Sequence, residues 1–446
     1  MSKARDCLLG VRGFLLGLHP TKLVVLGYLS YVVVGWALLC LPFARRVAVG
    51  ANDNLFTAMS AVSTTGLVTV SISDSYTPFG QGVVLVLIQL GGVGYMTFGS
   101  CLVLSRKKEL TSTRGGIGQT VFSLPQSFRI DKFIRSVIVF TAVIETAGAL
   151  ALYGIFRAAG DPSPAWNAVF HSVSAFCTAG FSLFNASFES YADHAGLNLV
   201  IAGLSYLGAV GFIVCVDCWR RFTGKVQRIT LTSKIILWST FWLSLLGTLL
   251  ILVGEPTLRE LPPGQRLVAA FFQSMTAMTT VGFNTVSIGE LSKATLLLLT
   301  VLMVIGASPS GTGGGLKSTT FTAILGVMRS ALRGHGEVRF WGRSVPAERV
   351  WTAVAGLGFY LLLLIAGTYL LELTESAPSD QLLFEAASAL GTVGLSTGVT
   401  AGLTGLGKLI VTFLMFCGRL GPLTFGMALF FRSGFQGEQE DADLAV

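Results

Sequence analysis

Four short segments of the chain repeat one pattern of small and hydroxyl-bearing residues. They read FTAMSAVSTTGL, FHSVSAFCTAGF, FQSMTAMTTVGF and FEAASALGTVGL, and they begin at Phe56, Phe170, Phe272 and Phe384. All four carry Phe first, Ser or Thr fifth, Ala sixth, Thr ninth and Gly eleventh. A ring of backbone carbonyl oxygens from several loops can replace the water around a dehydrated cation. The pattern therefore indicates cation coordination by four loops of a single chain.

The glycine of each segment is central to this interpretation. Glycine adopts backbone angles that aim successive carbonyls at one axis, and it lets four loops crowd there without side-chain clashes. The alternative is a purely structural role in helix packing, which explains small residues but not a loop between two spans. The predicted filter consists of Val62, Ser63, Thr64, Thr65, Gly66, Cys177, Thr178, Ala179, Gly180, Thr279, Thr280, Val281, Gly282, Gly391, Thr392, Val393 and Gly394.

The elements around these segments are apolar. Of the 446 residues, 52% are hydrophobic and 12% charged, about half the roughly 25% charged that is typical of soluble domains. This composition argues against a soluble protein. Stretches of about 20 apolar residues can cross a bilayer. Hydropathy predicts spans at 21–41, 82–104, 134–155, 196–217, 235–254, 293–331, 350–371 and 406–431.

Each repeated segment lies between two of these spans and is too short to cross a bilayer itself, which suits a re-entrant pore helix. The predicted fold class is an all-α integral membrane protein with eight transmembrane helices and four re-entrant pore helices. These form four pseudo-symmetric repeats of span, pore loop and span around one ion pore. The predicted repeats are 21–104, 134–217, 235–331 and 350–431.

The net charge of +8 is concentrated in three inter-helix loops, 105–133, 218–234 and 332–349. By the positive-inside rule these loops are cytoplasmic, and an even number of spans places both termini there too. We therefore expect a multi-pass protein of the inner (plasma) membrane with a cytoplasmic arm at 1–20 and an acidic tail at 432–446. This charge distribution favours membrane lipid over nucleic acid as the partner.

The third repeat contains GASPSGTGGGLKSTTF from Gly306 to Phe321. Five glycines and a proline within ten residues cannot hold an uninterrupted helix, so we expect a break at membrane depth. A phosphate-binding loop is disfavoured because Leu316 precedes Lys317 where that motif requires glycine. In the last span, Arg419 should face the pore or a partner, because an arginine at the centre of a membrane helix costs about 2.5–3.5 kcal/mol.

Two carboxylates lie within predicted helices. Glu145 falls inside a first-type span and is expected to pair with a neighbouring helix. Glu385 is expected to open the fourth pore helix, where a carboxylate meets the positive end of the helix dipole. The sequence offers no catalytic triad or paired acids, and hence no support for an enzyme.

These residues and repeats resemble the superfamily of Ktr, Trk and plant HKT potassium transporters, over essentially Thr21 to Phe431. In that family a glycine in each filter loop is associated with potassium preference, and serine in the first loop with sodium transport. Gly66 therefore implies potassium as substrate. The resemblance also implies an intramembrane gating loop at 307–316 with an arginine near it. The gate residues are then Gly306, Ser310, Gly311, Thr312, Gly313, Gly314, Gly315, Lys317 and Arg419.

Within the superfamily, the absence of an extra helical pair before the first predicted span favours the Ktr type. Such subunits are similar in forming homodimers on a cytosolic ring of RCK regulatory subunits. We therefore expect no cofactor in this chain, with any nucleotide held by the partner. Sodium dependence, a Trk-type transporter and a less selective potassium and sodium pore stay open as alternatives. A secondary transporter with alternating access is a more distant one.

Overall fold

The computed structural model describes residues 20–94, 130–309 and 311–430. Several predictions fall outside these ranges. They are nearly all of the N-terminal arm, the end of the second span, most of the first basic loop, Ser310 and the acidic tail.

The first two repeats consist of the following elements. In the first, α1 spans Pro20–Leu39, α2 spans Ala51–Ser63, and α3 spans Pro78–Gln89 and continues as a π-helical turn over Leu90–Gly94. In the second, α4 spans Ile130–Ala158, α5 Pro164–Phe176, α6 Ala195–Val210 and α7 Phe212–Phe222. Short turns lie at Pro42–Ala44, Ile72–Ser75 and Glu189–Tyr191.

The last two repeats follow the same order. In the third, α8 spans Leu231–Gly254, α9 Pro263–Thr279, α10 Lys293–Ile305 and α11 Ser318–Leu332. In the fourth, α12 spans Ala347–Thr374, α13 Ser379–Gly391, α14 Gly405–Leu420 and α15 Pro422–Phe430. Single 3-10 turns lie at Thr257–Glu260, Ile288–Glu290 and Val399–Gly402.

Within the part of the chain that the structure describes, the helices are joined by one small β-hairpin. Strands β1, Arg339–Phe340, and β2, Arg343–Ser344, pair antiparallel within the third predicted basic loop. The hairpin packs closely against Gly326 of α11, where an added Cβ would lie 2.6 Å from the Phe340 ring.

Among the described residues, three helices are long and apolar enough to cross a membrane by themselves, at Arg135–Ala158, Leu231–Gly254 and Ala347–Thr374. Their mean hydropathies are 1.8, 2.1 and 2.1, yet only 17%, 22% and 22% of their most apolar windows are buried. The remaining apolar surface suits lipid contact. A fourth span results if α6 and α7 are taken together, although they meet at an angle of 100°.

The second helix is interrupted in the second, third and fourth repeats, which the sequence indicated only for the third. The expected break there is confirmed, because α10 ends at Ile305 and α11 begins at Ser318. The expectation of continuous helices in the second and fourth repeats was wrong. Gly211 (φ +92°) separates α6 from α7, and Gly421 (φ +82°) separates α14 from α15. A residue with positive φ cannot continue a right-handed helix.

A second glycine lies three residues before each of these breaks and before the end of the π-helical turn. At each one, an added Cβ would overlap the backbone carbonyl of the facing predicted pore helix. The pairs are Gly91 with Val62, Gly208 with Phe176, and Gly418 with Leu390. The broken helices therefore lie directly against the ends of the pore helices.

Polar contacts join the second helix of one repeat to the pore helix of the next. Gln81 accepts a 2.8 Å hydrogen bond from Trp166 Nε1, which links the first repeat to the second. Lys293 pairs with Asp380 at 3.1 Å, linking the third to the fourth. Lys408 pairs with Asp53 at 2.6 Å and closes the circle from the fourth repeat back to the first.

Candidate functional site

The four pore helices α2, α5, α9 and α13 end in the same reversed turn. In each, the amide of the middle T-x-G residue donates to a carbonyl five residues earlier. The donors are Thr65, Ala179, Val281 and Val393, at 2.8, 2.8, 3.1 and 2.8 Å. This is the hydrogen-bond pattern of a Schellman motif, which glycine usually completes.

Here a threonine occupies the left-handed position of that turn. Thr64, Thr178, Thr280 and Thr392 have φ of 53°, 51°, 59° and 49°. Left-handed angles are unusual for a β-branched residue and cost about 1–3 kcal/mol each. The same strain in four copies indicates that the threonine side chain is needed at this place.

The four filter glycines contact one another in a closed ring. Their φ values are all positive, between +65° and +95°. A Cβ on Gly66 would lie 3.1 Å from the Cα of Gly180, and one on Gly180 would lie 3.2 Å from that of Gly282. Likewise, a Cβ on Gly282 would approach Gly394, and one on Gly394 would approach Gly66, each at 3.1 Å. The ring therefore has room for backbone only.

A cavity of about 440 Å³ opens on one side of this ring. We call it the vestibule. All four filter glycines line it, together with the segments that follow them, within 67–72, 182–189, 284–289 and 395–401. Among the described lining residues Glu189 is acidic and none is basic. One acidic and no basic side chain among these residues favours cations over anions in the cavity.

The glycine-rich loop, residues 306–317, lies on the opposite side of the ring. Thr312 contacts two filter threonines: its Oγ1 is 3.1 Å from Thr178 Oγ1, and its carbonyl accepts from Thr64 Oγ1 at 3.4 Å. Gly313 and Gly314 lie against the other two. An added Cβ at these glycines would overlap the hydroxyl oxygens of Thr280 and Thr392, respectively. Three consecutive residues thus touch the whole threonine layer.

Hydrogen bonds to backbone carbonyls hold the loop to the broken α6 helix. The amide of Thr312 donates to Gly208 O at 3.1 Å, and Ser308 Oγ donates to Ala209 O at 2.6 Å. Gly311 packs so closely that a Cβ would lie 2.6 Å from Ala209 O. The carbonyls that α6 leaves unpaired at its break are therefore satisfied by the loop.

The loop also closes on itself. The Ala307 amide donates to Gly314 O at 3.2 Å, and a Cβ on Gly306 would lie 2.6 Å from Gly315 Cα. Lys317 Nζ donates to Gly313 O at 2.7 Å and to Gly314 O at 3.3 Å.

Arg419 joins the loop to the first repeat. Its Nη1 donates to Thr64 Oγ1 at 3.0 Å and to the carbonyl of Thr312. Its Nη2 donates to the carbonyl of Gly91 in the π-helical turn. The side chain is only 8% exposed. Arg419 was expected near the middle of the last span, but it lies in the last turn of α14, next to the break at Gly421.

Five predicted filter residues lie one step outside the ring, in the last turns of the pore helices. Ser63 Oγ bonds Thr65 Oγ1 at 2.6 Å, Cys177 Sγ lies 3.4 Å from Gln89 Oε1, and Thr279 Oγ1 donates to Met275 O at 2.7 Å. Their side chains therefore contact the surrounding protein. Val62 and Gly391 likewise belong to the helices.

Sequence reasoning missed the residues that support the ring from behind. Ser60 Oγ accepts from the amide of Gly66, and Ser388 Oγ accepts from that of Gly394, each at 3.1 Å. The signal was present, because Ser or Thr recurs at the fifth place of the repeated segment. These hydroxyls fix the direction of the strained glycine backbone.

The two carboxylate expectations had different outcomes. Glu145 does pair with a neighbouring helix, since it accepts a 3.1 Å hydrogen bond from Gln89 Nε2. The placement of Glu385 was wrong: α13 begins at Ser379, and Glu385 lies well inside the helix. Helices start where their caps and backbone permit, and here Pro378 precedes the first turn.

Comparison with known proteins finds relatives that match most of this chain. The chain is 35% identical over 411 residues to the Ktr system potassium uptake protein B of Bacillus subtilis, covering 91% of this chain and 92% of that protein. It is 33% identical over 424 residues to the potassium/sodium uptake protein NtpJ of Enterococcus hirae, with coverages of 92% and 93%.

A solved structure with the same fold is that of the potassium transporter TrkH from Vibrio parahaemolyticus. The TM-score is 0.73 at 20% identity, over 92% of this chain and 84% of that one. A family model described as a cation transport protein, TrkH, matches residues 41–435. The chain belongs to the TrkH family of cation transport proteins.

Proposed function

We propose that the chain is the potassium-translocating membrane subunit of a Ktr-type uptake system. The observation that carries this proposal is the closed contact of Gly66, Gly180, Gly282 and Gly394 with the glycine-rich loop directly behind it. One side of the ring opens to a cavity and the other is blocked by a loop. This is the arrangement that a filter and a gate require.

Potassium passes the ring by exchanging its water for protein oxygens. The carbonyls of the T-x-G residues and the threonine hydroxyls supply those oxygens, and the supporting serines hold them in place. Potassium is the substrate, and no cofactor acts in this chain. A relative named as a potassium/sodium uptake protein supports a less selective pore as the second candidate, and it keeps sodium dependence open.

The gate consists of the glycine-rich loop with Lys317 and Arg419. The loop touches all four filter threonines, so an ion that leaves the ring meets it at once. Two positive side chains at this constriction oppose the passage of a cation, because charge repulsion is stronger in a medium of low dielectric constant than in water.

In this proposal the four repeats supply eight spans and four re-entrant pore helices in the plasma membrane. The vestibule faces outward and both termini are cytoplasmic. Two copies form a homodimer in lipid and sit on a cytosolic RCK regulatory subunit, which alone binds nucleotide. A relative named as part of a Ktr system supports the separate regulatory partner.

The test is rescue of a potassium-uptake-deficient bacterium at low external potassium, with and without a cognate RCK subunit. Rubidium and sodium fluxes into liposomes that contain the purified protein follow. We expect growth rescue and a rubidium flux that greatly exceeds the sodium flux. Equal fluxes favour the less selective pore. Exchange that requires an organic solute on the opposite side favours alternating access.

A further inference from the structure

A second ring of polar residues lies around the filter, at the second place of each repeated segment. The four are Thr57, His171, Gln273 and Glu385, all completely buried. They occupy one register of the pore helices but differ in chemical type. Buried polar groups need partners, and the partners of three of them lie on the chain just beyond the filter glycine.

In the second and third repeats these contacts are neutral hydrogen bonds. His171 Nε2 lies 3.0 Å from Ser182 Oγ and accepts from the Leu183 amide at 3.3 Å. Gln273 Nε2 donates to Thr285 Oγ1 at 3.2 Å. In the first repeat, Thr57 instead accepts from the Tyr76 hydroxyl at 3.4 Å. Thr57 thus has no such hydrogen bond to the segment that follows its filter glycine, and Glu385 of the fourth repeat has the most.

Glu385 binds its segment through four hydrogen bonds. Oε1 accepts from Ser396 Oγ at 2.6 Å, from the Thr397 amide at 2.9 Å and from Thr397 Oγ1 at 3.2 Å. Oε2 accepts from Thr400 Oγ1 at 2.5 Å. Ser396, Thr397 and Thr400 all line the vestibule. A carboxylate only accepts hydrogen bonds, and bonds to a charged acceptor are about twice as strong as neutral ones.

These bonds fix a segment with little other regular structure. Between the filter glycine and α14, this segment contains a single 3-10 turn, Val399–Gly402. Gly398, just before that turn, has a φ of +98°. The segment begins at Leu395, directly after Gly394, so any displacement of it shifts the glycine in the ring. A buried carboxylate is costly to keep without donors, and this cost couples the segment to the pore helix.

We propose that Glu385 is a positioning residue that sets the discrimination between potassium and sodium by holding segment 395–400 in place. This inference rests on the proposed function, because it assigns Glu385 to the filter of that pore. Glu385 does not touch the ion. It acts through Ser396, Thr397 and Thr400 on the position of Gly394.

The test compares rubidium and sodium fluxes of variants in liposomes. Glu385→Ala removes all four hydrogen bonds, and we expect the rubidium-to-sodium ratio to fall about tenfold, or ~1.4 kcal/mol. Glu385→Gln keeps Oε1 as acceptor, and the Thr400 hydroxyl can turn to accept from the amide. Because all four contacts persist as neutral hydrogen bonds, the glutamine variant should stay within about twofold of the wild-type ratio, or ~0.4 kcal/mol.

Glu375→Ala is the matched control. Glu375 accepts bonds from Thr404, at 2.6 Å from Oγ1, but this contact links α12 to the start of α14 and does not reach the filter segment. The rubidium-to-sodium flux ratio of Glu375→Ala should equal that of wild type. An unchanged ratio in Glu385→Ala, or an equal loss in Glu375→Ala, overturns the inference.

A second variant covers the case in which Glu385→Ala is not recovered from membranes. The double variant Ser396→Ala, Thr400→Val removes two donors and leaves the carboxylate in place. A reduced ratio supports the inference, and a wild-type ratio refutes it. The rubidium-to-sodium flux ratio of the wild-type protein itself tests the proposed function. Without a selective rubidium flux, the proposed function and the role of Glu385 both fail. Selective wild-type flux with unaffected variants leaves the proposed function standing and removes only the role of Glu385.

Discussion

Thr64 Oγ1 accepts a hydrogen bond from Arg419 Nη1 at 3.0 Å, across 355 residues of sequence. The guanidinium group of Arg419, in the fourth repeat, is thereby hydrogen-bonded to a predicted filter threonine of the first repeat. The hydroxyls of Thr280 and Thr392, by contrast, have no hydrogen-bond partner among the described residues. The glycine-rich loop and Arg419 therefore hydrogen-bond to Thr64 and Thr178, whereas the loop only packs against Thr280 and Thr392.

This relationship predicts that Arg419→Gln raises transport velocity. Glutamine retains polarity but removes a charge that opposes cations in a medium of low dielectric constant. Rubidium uptake at matched membrane abundance should increase several-fold, on the order of the 5–30-fold effect of one or two kcal/mol, with little change in apparent potassium affinity.

Arg419→Lys separates charge from hydrogen bonding. Lysine keeps the charge but loses the fork that spans Thr64, Thr312 and Gly91. A rate close to wild type assigns the barrier to charge, and a rate like that of the glutamine variant assigns it to the bonds that hold the loop. If Arg419→Gln is no faster than wild type, Arg419 is a packing residue.

Removal of residues 310–314 should increase flux and leave selectivity largely intact. Thr312, Gly313 and Gly314 lie against the four threonines, while the ring is formed by other residues, so we expect the deletion to open the space behind the ring. The measurement is rubidium and sodium uptake in protein that still inserts in the membrane. Loss of all flux in such protein identifies the loop as a structural support.

A point substitution tests the same gate with less disruption. In Gly313→Ala the added Cβ overlaps Thr280 Oγ1 and should displace the loop, which raises rubidium flux. Gly203→Ala is the control, because a Cβ there meets nothing within 4 Å. Equal fluxes in the two variants contradict a gate at Gly313.

The sequence alone predicted that four T-x-G segments lie together and that a glycine-rich loop interrupts a helix. Both features follow from patterns of residue types. T-x-G recurs four times, and five glycines with a proline leave no helix at 306–315. The break at Gly211 could not be predicted in this way. A single glycine in an apolar run is tolerated by most helices, and its positive φ here depends on contact with the glycine-rich loop.

The sequence also could not predict which residues of the pore helices hold the segments that follow the filter. Glu385 bonds residues 11 to 15 positions later, in a segment without periodicity. Hydropathy registers a charged residue near an apolar run, but not which way its side chain points. Glu385 was wrongly placed at a helix start for a different reason, because the helix already begins at Ser379, after Pro378.

Gly66→Ser should lower the preference for potassium over sodium. Gly66 has a φ of +92°, and its Cα faces the Ala179 carbonyl and Gly180. A side chain at this angle costs about 1 kcal/mol or more and forces two loops of the ring apart. The measurement is the rubidium-to-sodium flux ratio in liposomes. A folded variant with unchanged selectivity excludes Gly66 from the filter.

The last prediction concerns the closure of the circle of repeats by Lys408 and Asp53. Their nitrogen and oxygen lie 2.6 Å apart, and the side chains are 17% and 20% exposed. The pair formed by Lys293 and Asp380 has the same place between the third and fourth repeats, but its side chains are 84% and 36% exposed. Solvent screens exposed pairs, which contribute about 0–1 kcal/mol, whereas a partly buried pair is screened less.

We therefore expect different coupling in two double-mutant cycles on thermal unfolding in detergent. For Asp53→Asn and Lys408→Met, each single variant should lower Tm, and the double variant should lower it less than the sum, by about 1–2 °C for a coupling near 1 kcal/mol. For Lys293→Met and Asp380→Asn, the shifts should be small and additive. Raising the salt concentration should leave most of the coupling in the first cycle, because a partly buried pair is screened less than an exposed one, and the second cycle should stay additive. Equal coupling in both cycles would mean that closure of the circle depends on helix packing, and that the ion pair of Lys408 and Asp53 contributes no more than an ordinary surface contact.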